Sequence, residues 1–204
     1  MIERIKLPTP TKTQYYINET TIFSYLQVCN LTDEGIQQKI NHKIYDLMIN
    51  VIGELTQPDF TTYITGFYEI KTNQREVLSI TLNGLGDFDG AHPSNIVRSL
   101  SFDVTTGKAY KLGELFKPNS GYLKKISDII AAEIKRREIP LLEDFEGISP
   151  EQDYYIADKN LIIYFQQYQI TPYYVGLPYF SIPLYDISDM IVEDNILDRM
   201  LYWL

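Results

Sequence analysis

The sequence of 204 residues is poor in the side chains that hold metals or form disulfides, with one cysteine, Cys29, and two histidines, His42 and His92. A single cysteine cannot form a disulfide within the chain, and the apolar neighbours of Cys29 indicate a small buried side chain rather than a reactive thiol. Zinc sites use three or four ligands, usually in closely spaced pairs, and the sequence has no such pair of histidine or cysteine residues. We therefore expect neither a metal site nor a cofactor.

Long apolar segments are also missing. No stretch approaches the ~20 apolar residues of a membrane-spanning helix, and residues 1–8 lack the apolar centre of a signal peptide. As written, the chain is expected to be cytoplasmic and not inserted in a membrane. It would be extracytoplasmic if a leader or an anchor had been removed.

Basic residues are fewer than acidic ones: the sequence has 18 Lys and Arg and 27 Asp and Glu, which gives a formal net charge of −9. An acidic surface repels phosphate backbones, and the densest basic run, Lys135–Arg137, closes a predicted helix rather than forming a patch. Nucleic acid is therefore not an expected partner.

Tyrosine is abundant, at 17 of 204 residues. Its ring and hydroxyl suit surfaces that contact a sugar, a peptide or another protein. The alternative explanation is that β-strands are generally rich in tyrosine. The rings concentrate in Tyr164–Tyr179, where they alternate with amides, prolines and a glycine rather than at helical spacing. This segment is predicted to be a rigid connector between strands, which either binds a ligand or closes one end of the core.

Hydrophobic periodicity predicts an α+β fold, with an antiparallel twisted sheet, two main helices packed on one face and a short C-terminal helix. The clearest element is a helix from a Thr32 cap to just before Pro58, with apolar residues at steps of three and four. A second helix is predicted from Asn119 or Ser120 to just before Pro140. We expect two regions, residues 1–83 and 84–204, within one compact unit. Strands are predicted near residues 13–28, 61–71, 76–82, 96–104, 154–157, 161–165 and 179–183.

The glycine-rich segment Gly84–Pro93, which is predicted to be a loop, holds the candidates for chemistry, Asp87, Asp89 and His92. An aspartate beside a histidine could orient the imidazole as a general base, and Ser94 follows closely. Catalytic groups meet through the fold rather than through sequence adjacency, so a structural role for this segment is favoured over a hydrolase-type enzyme that uses Asp89 and His92. No phosphate-binding loop, nucleophile elbow or calcium-loop series is present.

Six further motifs are Asp89–Pro93, Ser101–Lys108, Leu112–Phe116, Tyr154–Ile156, Tyr168–Tyr173 and Ile182–Pro183. Together they resemble a bacterial domain of unknown function, which forms the sensor region of lysozyme-sensing anti-sigma factors and the amino-terminal region of some peptidoglycan deacetylases. They occur in the family's order, with similar spacing, from about residue 84 to 190. The chain departs from the family at Asp89, where glycine is usual, and at Gln169, where glutamate is usual.

The resemblance implies a non-catalytic α+β module that faces the cell envelope and binds lysozyme or another basic protein, or peptidoglycan fragments. An acidic, tyrosine-rich surface would suit a basic partner. The alternatives are the hydrolase and a structural protein that dimerises through a terminal helix from about Asp194; the oligomeric state is left open. The glycine-aspartate segment and the aromatic connector are expected to form one negatively charged face, with ligand-binding residues Asp87, Asp89, His92, Tyr168, Tyr173 and Tyr174.

Overall fold

The computed structural model describes residues 7–88, 90 and 92–201. They form two compact units that divide between Ala109 and Tyr110. The boundary after residue 83 that the motifs suggested lies inside a strand, Val77–Asp87, of the first unit.

The first unit contains a six-stranded sheet whose strands follow one another in sequence order. Neighbouring strands are antiparallel except β2 and β3, which are parallel because a helix, α1, returns the chain to the same end of the sheet. The α+β prediction is confirmed, and this pair is the departure from an antiparallel sheet. The elements are β1 Thr11–Ile17, β2 Thr21–Val28, α1 Glu34–Leu55, β3 Tyr63–Gln74, β4 Val77–Asp87, β5 Ser94–Asp103 and β6 Lys108–Ala109.

Helix α1 forms where the apolar periodicity predicts it, although its cap is Asp33 rather than Thr32. The Asp33 carboxylate accepts a hydrogen bond from the Ile36 backbone N–H at 3.0 Å, which satisfies one of the free donors of the first turn. The apolar stripe lies against β2, β4 and β5 and thereby covers one face of the sheet. Its fully buried members are Ile40, Ile44, Met48, Val51 and Leu55.

Gly84 and Gly86 lie within β4, not in a loop as the sequence suggested. Gly84 pairs with Gly66 of β3, and a Cβ on Gly84 would lie 2.6 Å from Leu55 Cδ1 of α1. These glycines therefore allow the helix to approach the sheet closely. Strand β4 thus continues to Asp87, and β5 begins at Ser94.

The second unit has a separate three-stranded antiparallel sheet. Residues 110–153, which include helix α2, separate its first strand from β6 in the sequence. Helix α2 buries Ile126, Ile130 and Ile134 and contacts the last strand of this sheet. The elements are α2 Tyr122–Arg136, β7 Tyr154–Ala157, β8 Asn160–Tyr164, β9 Tyr179–Pro183 and α3 Asp198–Leu201.

The short C-terminal helix that the sequence predicts is present, but it begins at Asp198 rather than near Asp194. Ile196, Leu197 and Met200 are fully buried within the chain, so these side chains pack on their own core and do not offer a surface to a second copy. Leu204, which was expected on the same side, lies outside the described residues. In the described part of the chain, no helix is long and apolar enough to cross a bilayer.

Candidate functional site

The second unit contains a cleft of about 390 Å³ between two chain segments, residues 142–147 and residues 165–170. Three of its lining residues are exposed carboxylates, Glu143, Asp144 and Glu146. We call it the acidic cleft, and its lining residues are Leu142, Glu143, Asp144, Phe145, Glu146, Gly147, Gln152, Phe165, Tyr168, Gln169 and Ile170.

A backbone hydrogen bond joins the two walls of the acidic cleft. The Leu142 N–H donates to the Ile170 carbonyl at 3.0 Å and so joins one wall to the other. Gln152 also lines the cleft, and its Nε2 donates to the carbonyl of the buried Tyr164 at 2.7 Å. The walls are therefore set before any ligand arrives, which lowers the entropic cost of binding.

Aromatic rings lie beneath the carboxylates. Phe145, on the acidic wall, packs edge-on against Phe165, with ring centroids 5.9 Å apart, and Phe165 packs in the same manner against Phe180 of β9. Phe165 is almost fully buried. These contacts anchor the acidic segment to the core of the unit.

Tyr168 lies at the tip of a tight turn in the opposite wall. The Gln169 N–H donates to the Gln166 carbonyl at 3.0 Å, and the Gln169 Oε1 accepts from the Gln166 N–H at 2.8 Å. The turn requires a left-handed backbone at Tyr168, where φ is 64°, and it leaves the side chain 58 % exposed. A glutamate at residue 169 would offer the same acceptor, so this departure from the family preserves the turn.

The three predicted tyrosines all belong to this unit. The ring of Tyr173 lies 5.8 Å from that of Tyr168, and Tyr173 begins a short 3₁₀ turn, Tyr173–Val175, after Pro172. Tyr174 is 77 % exposed and does not line the acidic cleft. Tyr168 is thus the predicted residue that enters the cleft, with Tyr173 supporting its ring.

The other predicted site residues belong to the first unit. Asp87 is the last residue of β4, opposite Tyr63, and His92 lies in the loop after it; both are exposed. Asp89 lies outside the described residues. That these residues and the aromatic connector form one face stays a prediction. Among the residues that the structure describes, no group of three or more His, Cys, Asp or Glu could hold a metal ion.

The acidic wall is what sequence reasoning missed. The run of acidic residues between Glu143 and Glu146 is visible in the sequence, yet nothing local indicates that it faces Tyr168. The signal that could have found it is the pairing of an acidic segment with an aromatic one on a net acidic chain.

The chemistry available in the acidic cleft is recognition of a cation. Carboxylates accept charge-assisted hydrogen bonds from lysine or arginine, and an aromatic face attracts the same groups. The described residues that line the cleft include no serine, cysteine or histidine, so the cleft carries none of the usual nucleophile and base pairs.

The fold and the cleft define an α+β domain with an acidic, aromatic surface. Residues 113–185 match the family described as "Protein of unknown function (DUF3298)", which confirms the resemblance found in the motifs.

Three curated proteins are similar to the chain in sequence. It is 30% identical over 142 residues to the anti-sigma-V factor RsiV of Bacillus subtilis (63% of this chain, 48% of RsiV). The peptidoglycan-N-acetylmuramic acid deacetylase PdaC of the same organism is 24% identical over 136 residues (63% and 29%). The esterase Rv3036c of Mycobacterium tuberculosis is 29% identical over 110 residues (52% and 48%). The chain thus spans about half the length, or less, of these relatives.

Two solved structures share the fold. A member of the DUF3298 family from Bacteroides fragilis, BF2082, superimposes with a TM-score of 0.72 at 14% identity, covering 94% of this chain and 97% of that one. A DUF3298 family protein from Pseudomonas aeruginosa, PA4972, gives 0.65 at 13% identity, covering 91% and 95%. They support the α+β assignment for the chain.

Proposed function

We propose that this chain is a non-catalytic binding module that takes a basic protein on the acidic cleft, with lysozyme as the first partner to test. The observation that carries the proposal is the combination of three exposed carboxylates with the exposed Tyr168 ring on two walls joined by a backbone hydrogen bond. Tyr173 and Tyr174 would extend the contact beyond the cleft.

The cleft suits the side chain of a lysine or an arginine on the partner's surface. The cation would be accepted by Glu143, Asp144 and Glu146, while its aliphatic stem packs on Tyr168. The net charge of −9 would also steer a basic protein toward this surface and raise the rate of association at low salt.

The relatives support a role in the cell envelope. One is an anti-sigma factor and another is named for the deacetylation of a peptidoglycan component. A sensor module outside the cytoplasmic membrane fits both, and we propose this location for the chain. Peptidoglycan fragments are then the second ligand to test, since aromatic rings also stack on sugars.

Titration calorimetry with hen egg-white lysozyme tests the proposal. We expect the triple variant Glu143→Gln, Asp144→Asn, Glu146→Gln to bind at least tenfold more weakly than the parent, and Tyr168→Ala to lose a similar factor. Binding heat with peptidoglycan fragments and none with lysozyme would show that the ligand is a glycan and not a basic protein.

A matched control separates the cleft from net charge. Asp186→Asn, Asp189→Asn and Glu193→Gln remove three exposed carboxylates of the same unit that do not line the cleft. This control should bind lysozyme within about threefold of the parent. Equal losses in the two triple variants would show that overall charge drives binding, and the proposed site would be wrong.

Ester hydrolysis is the competing function, because one relative is named an esterase. His92 is exposed and does not line the acidic cleft. We expect the chain to hydrolyse p-nitrophenyl acetate no faster than its His92→Ala variant. A His92-dependent rate would favour the enzyme.

A further inference from the structure

We propose that an exposed apolar patch at one end of the six-stranded sheet, on the face that α1 does not cover, is a docking surface for a basic amphipathic helix of a partner protein. This face belongs to the first unit, whereas the acidic cleft belongs to the second, so the inference goes beyond the proposed function. The structural basis is a contiguous set of exposed apolar side chains, which we call the outer patch: Tyr15, Ile17, Ile22, Tyr63, Phe67 and Leu85.

The centre of the outer patch is a row of directly opposed residues across four strands. Ile17 of β1 faces Ile22 of β2, Ile22 faces Thr65 of β3, and Thr65 faces Leu85 of β4. Ile17, Ile22 and Leu85 are 67 %, 57 % and 39 % exposed. Side chains directly opposite one another on neighbouring strands lie close together, so these residues form one row, in which the Thr65 side chain stands between Ile22 and Leu85.

Aromatic residues flank this row on the same face. Tyr15 lies two residues before Ile17, while Tyr63 and Phe67 lie two residues on either side of Thr65, so the strand alternation places them beside the row. All three rings are more than half exposed.

The opposite face of the same strands is already filled. Phe23, Ile64 and Leu82 alternate with members of the outer patch and are buried in the core that α1 covers. A one-sided sheet normally carries polar residues on its uncovered face, and monomeric proteins rarely expose contiguous apolar surface. Large apolar side chains at these positions therefore indicate a partner.

The dimensions of the outer patch suit one helix. Four strands at ~4.8 Å spacing make a strip of roughly 14 Å, against a helix diameter of about 10–12 Å including side chains. Tyr63 to Phe67 spans about 13 Å along the strand, which is two to three helical turns. With α1 on the other face, such a helix would complete a layered helix–sheet–helix packing.

Charge at the edge of the patch decides between a basic partner and a second copy. Glu19, in the turn between β1 and β2, and Asp87, opposite Tyr63, are exposed acidic residues. Glu69 lies two residues beyond Phe67 on β3, where its charge is balanced by Lys71 in an ion pair of 2.9 Å. A twofold interface would bring the same acidic residues of two chains with a charge of −9 together. A basic helix meets no such repulsion.

The test uses a synthetic amphipathic peptide of leucine and lysine, with a glutamate-for-lysine analogue, in fluorescence anisotropy. We expect the lysine peptide to bind the full chain at least tenfold more tightly than the glutamate analogue. Phe67→Ser and Ile22→Ser should each weaken binding at least fivefold. Ile49→Ser, which removes a comparably exposed apolar residue of α1, should leave it within twofold. Equal binding by all variants would overturn the proposal, as would a concentration-dependent dimer in ultracentrifugation that Ile22→Ser abolishes.

Circular dichroism would confirm that each variant is folded. Lysozyme binding separates this proposal from the acidic cleft: Phe67→Ser should retain lysozyme binding, and the triple cleft variant should retain peptide binding. Loss of both ligands in the cleft variant would show that the peptide occupies the cleft and that the outer patch is not its site.

Discussion

The ring of Phe23 in β2 occupies the space that a side chain on Gly66 in β3 would need. A Cβ at residue 66 would overlap the Cε2, Cδ2 and Cζ atoms of that ring. The neighbouring Gly84 gives the same clearance to Val51 and Leu55 of α1. The core of the first unit thus depends on two glycines that face each other across β3 and β4.

Gly66→Ala is expected to destabilise the first unit by about 1–3 kcal/mol or more, because the ring of Phe23 must move within a packed core. Gly53→Ala is the control, since nothing lies within 4 Å of a Cβ at that helical position. It should be neutral or stabilising by up to ~1 kcal/mol. Urea unfolding followed by circular dichroism measures both, and a Gly66→Ala variant as stable as Gly53→Ala would contradict the packing described.

Asp33→Ala should lower stability by ~1 kcal/mol, because the Ile36 N–H loses its acceptor at the start of α1. Asp33→Asn retains a side-chain oxygen and should lose only a few tenths of that value. The same unfolding assay compares them. Similar losses in the two variants would mean that charge rather than the hydrogen bond matters at this cap.

Burial, and to a smaller extent the neighbouring Tyr45, raises the pKa of Tyr25 above its ordinary value of 10.0. The unfolded chain therefore ionises first as the pH rises, so this phenol lowers stability from about pH 10 upward until the folded form also ionises. Tyr25→Phe should show a shallower loss of stability than the parent above pH 10. Parallel pH profiles of the melting temperature would refute this assignment.

Gln169→Glu is expected to keep the fold and to strengthen lysozyme binding at low salt, because it retains the acceptor for the Gln166 N–H and adds a carboxylate to the acidic cleft. The gain should shrink at high salt, where exposed charges are screened. Gln169→Ala removes the acceptor and should weaken binding by loosening the turn. Calorimetry at two salt concentrations checks both, and a gain that salt does not reduce would exclude an electrostatic cause.

Local patterns predicted most of the fold. Apolar residues at steps of three and four predicted the position of α1 correctly, except for its N-cap residue. The alternation of apolar and polar residues predicted the positions of β4 and β5. Gly84 and Gly86 were taken for a loop because glycine in isolation indicates a turn, whereas their reason is a long-range contact with α1. The parallel pairing of β2 with β3 likewise depends on where α1 returns the chain.

The sequence predicted only part of the candidate site, because the rest depends on contacts between residues far apart in the chain. Tyr168 stood out within an aromatic segment, but its opposition to the acidic wall follows from the contact of Leu142 with Ile170, which neither segment encodes alone. The tight turn at Tyr168 was equally hidden, since tyrosine is seldom found in a left-handed conformation.

The left-handed turn at Tyr168 favours the exposure of its ring over the stability of the second unit. Asparagine or glycine would adopt the φ of 64° more comfortably than tyrosine does, so either substitution should raise the melting temperature of the second unit while removing the ring from the cleft. A library of variants screened for heat resistance alone should therefore be enriched in asparagine and glycine at residue 168, and these variants would lack the exposed ring that the proposed binding requires.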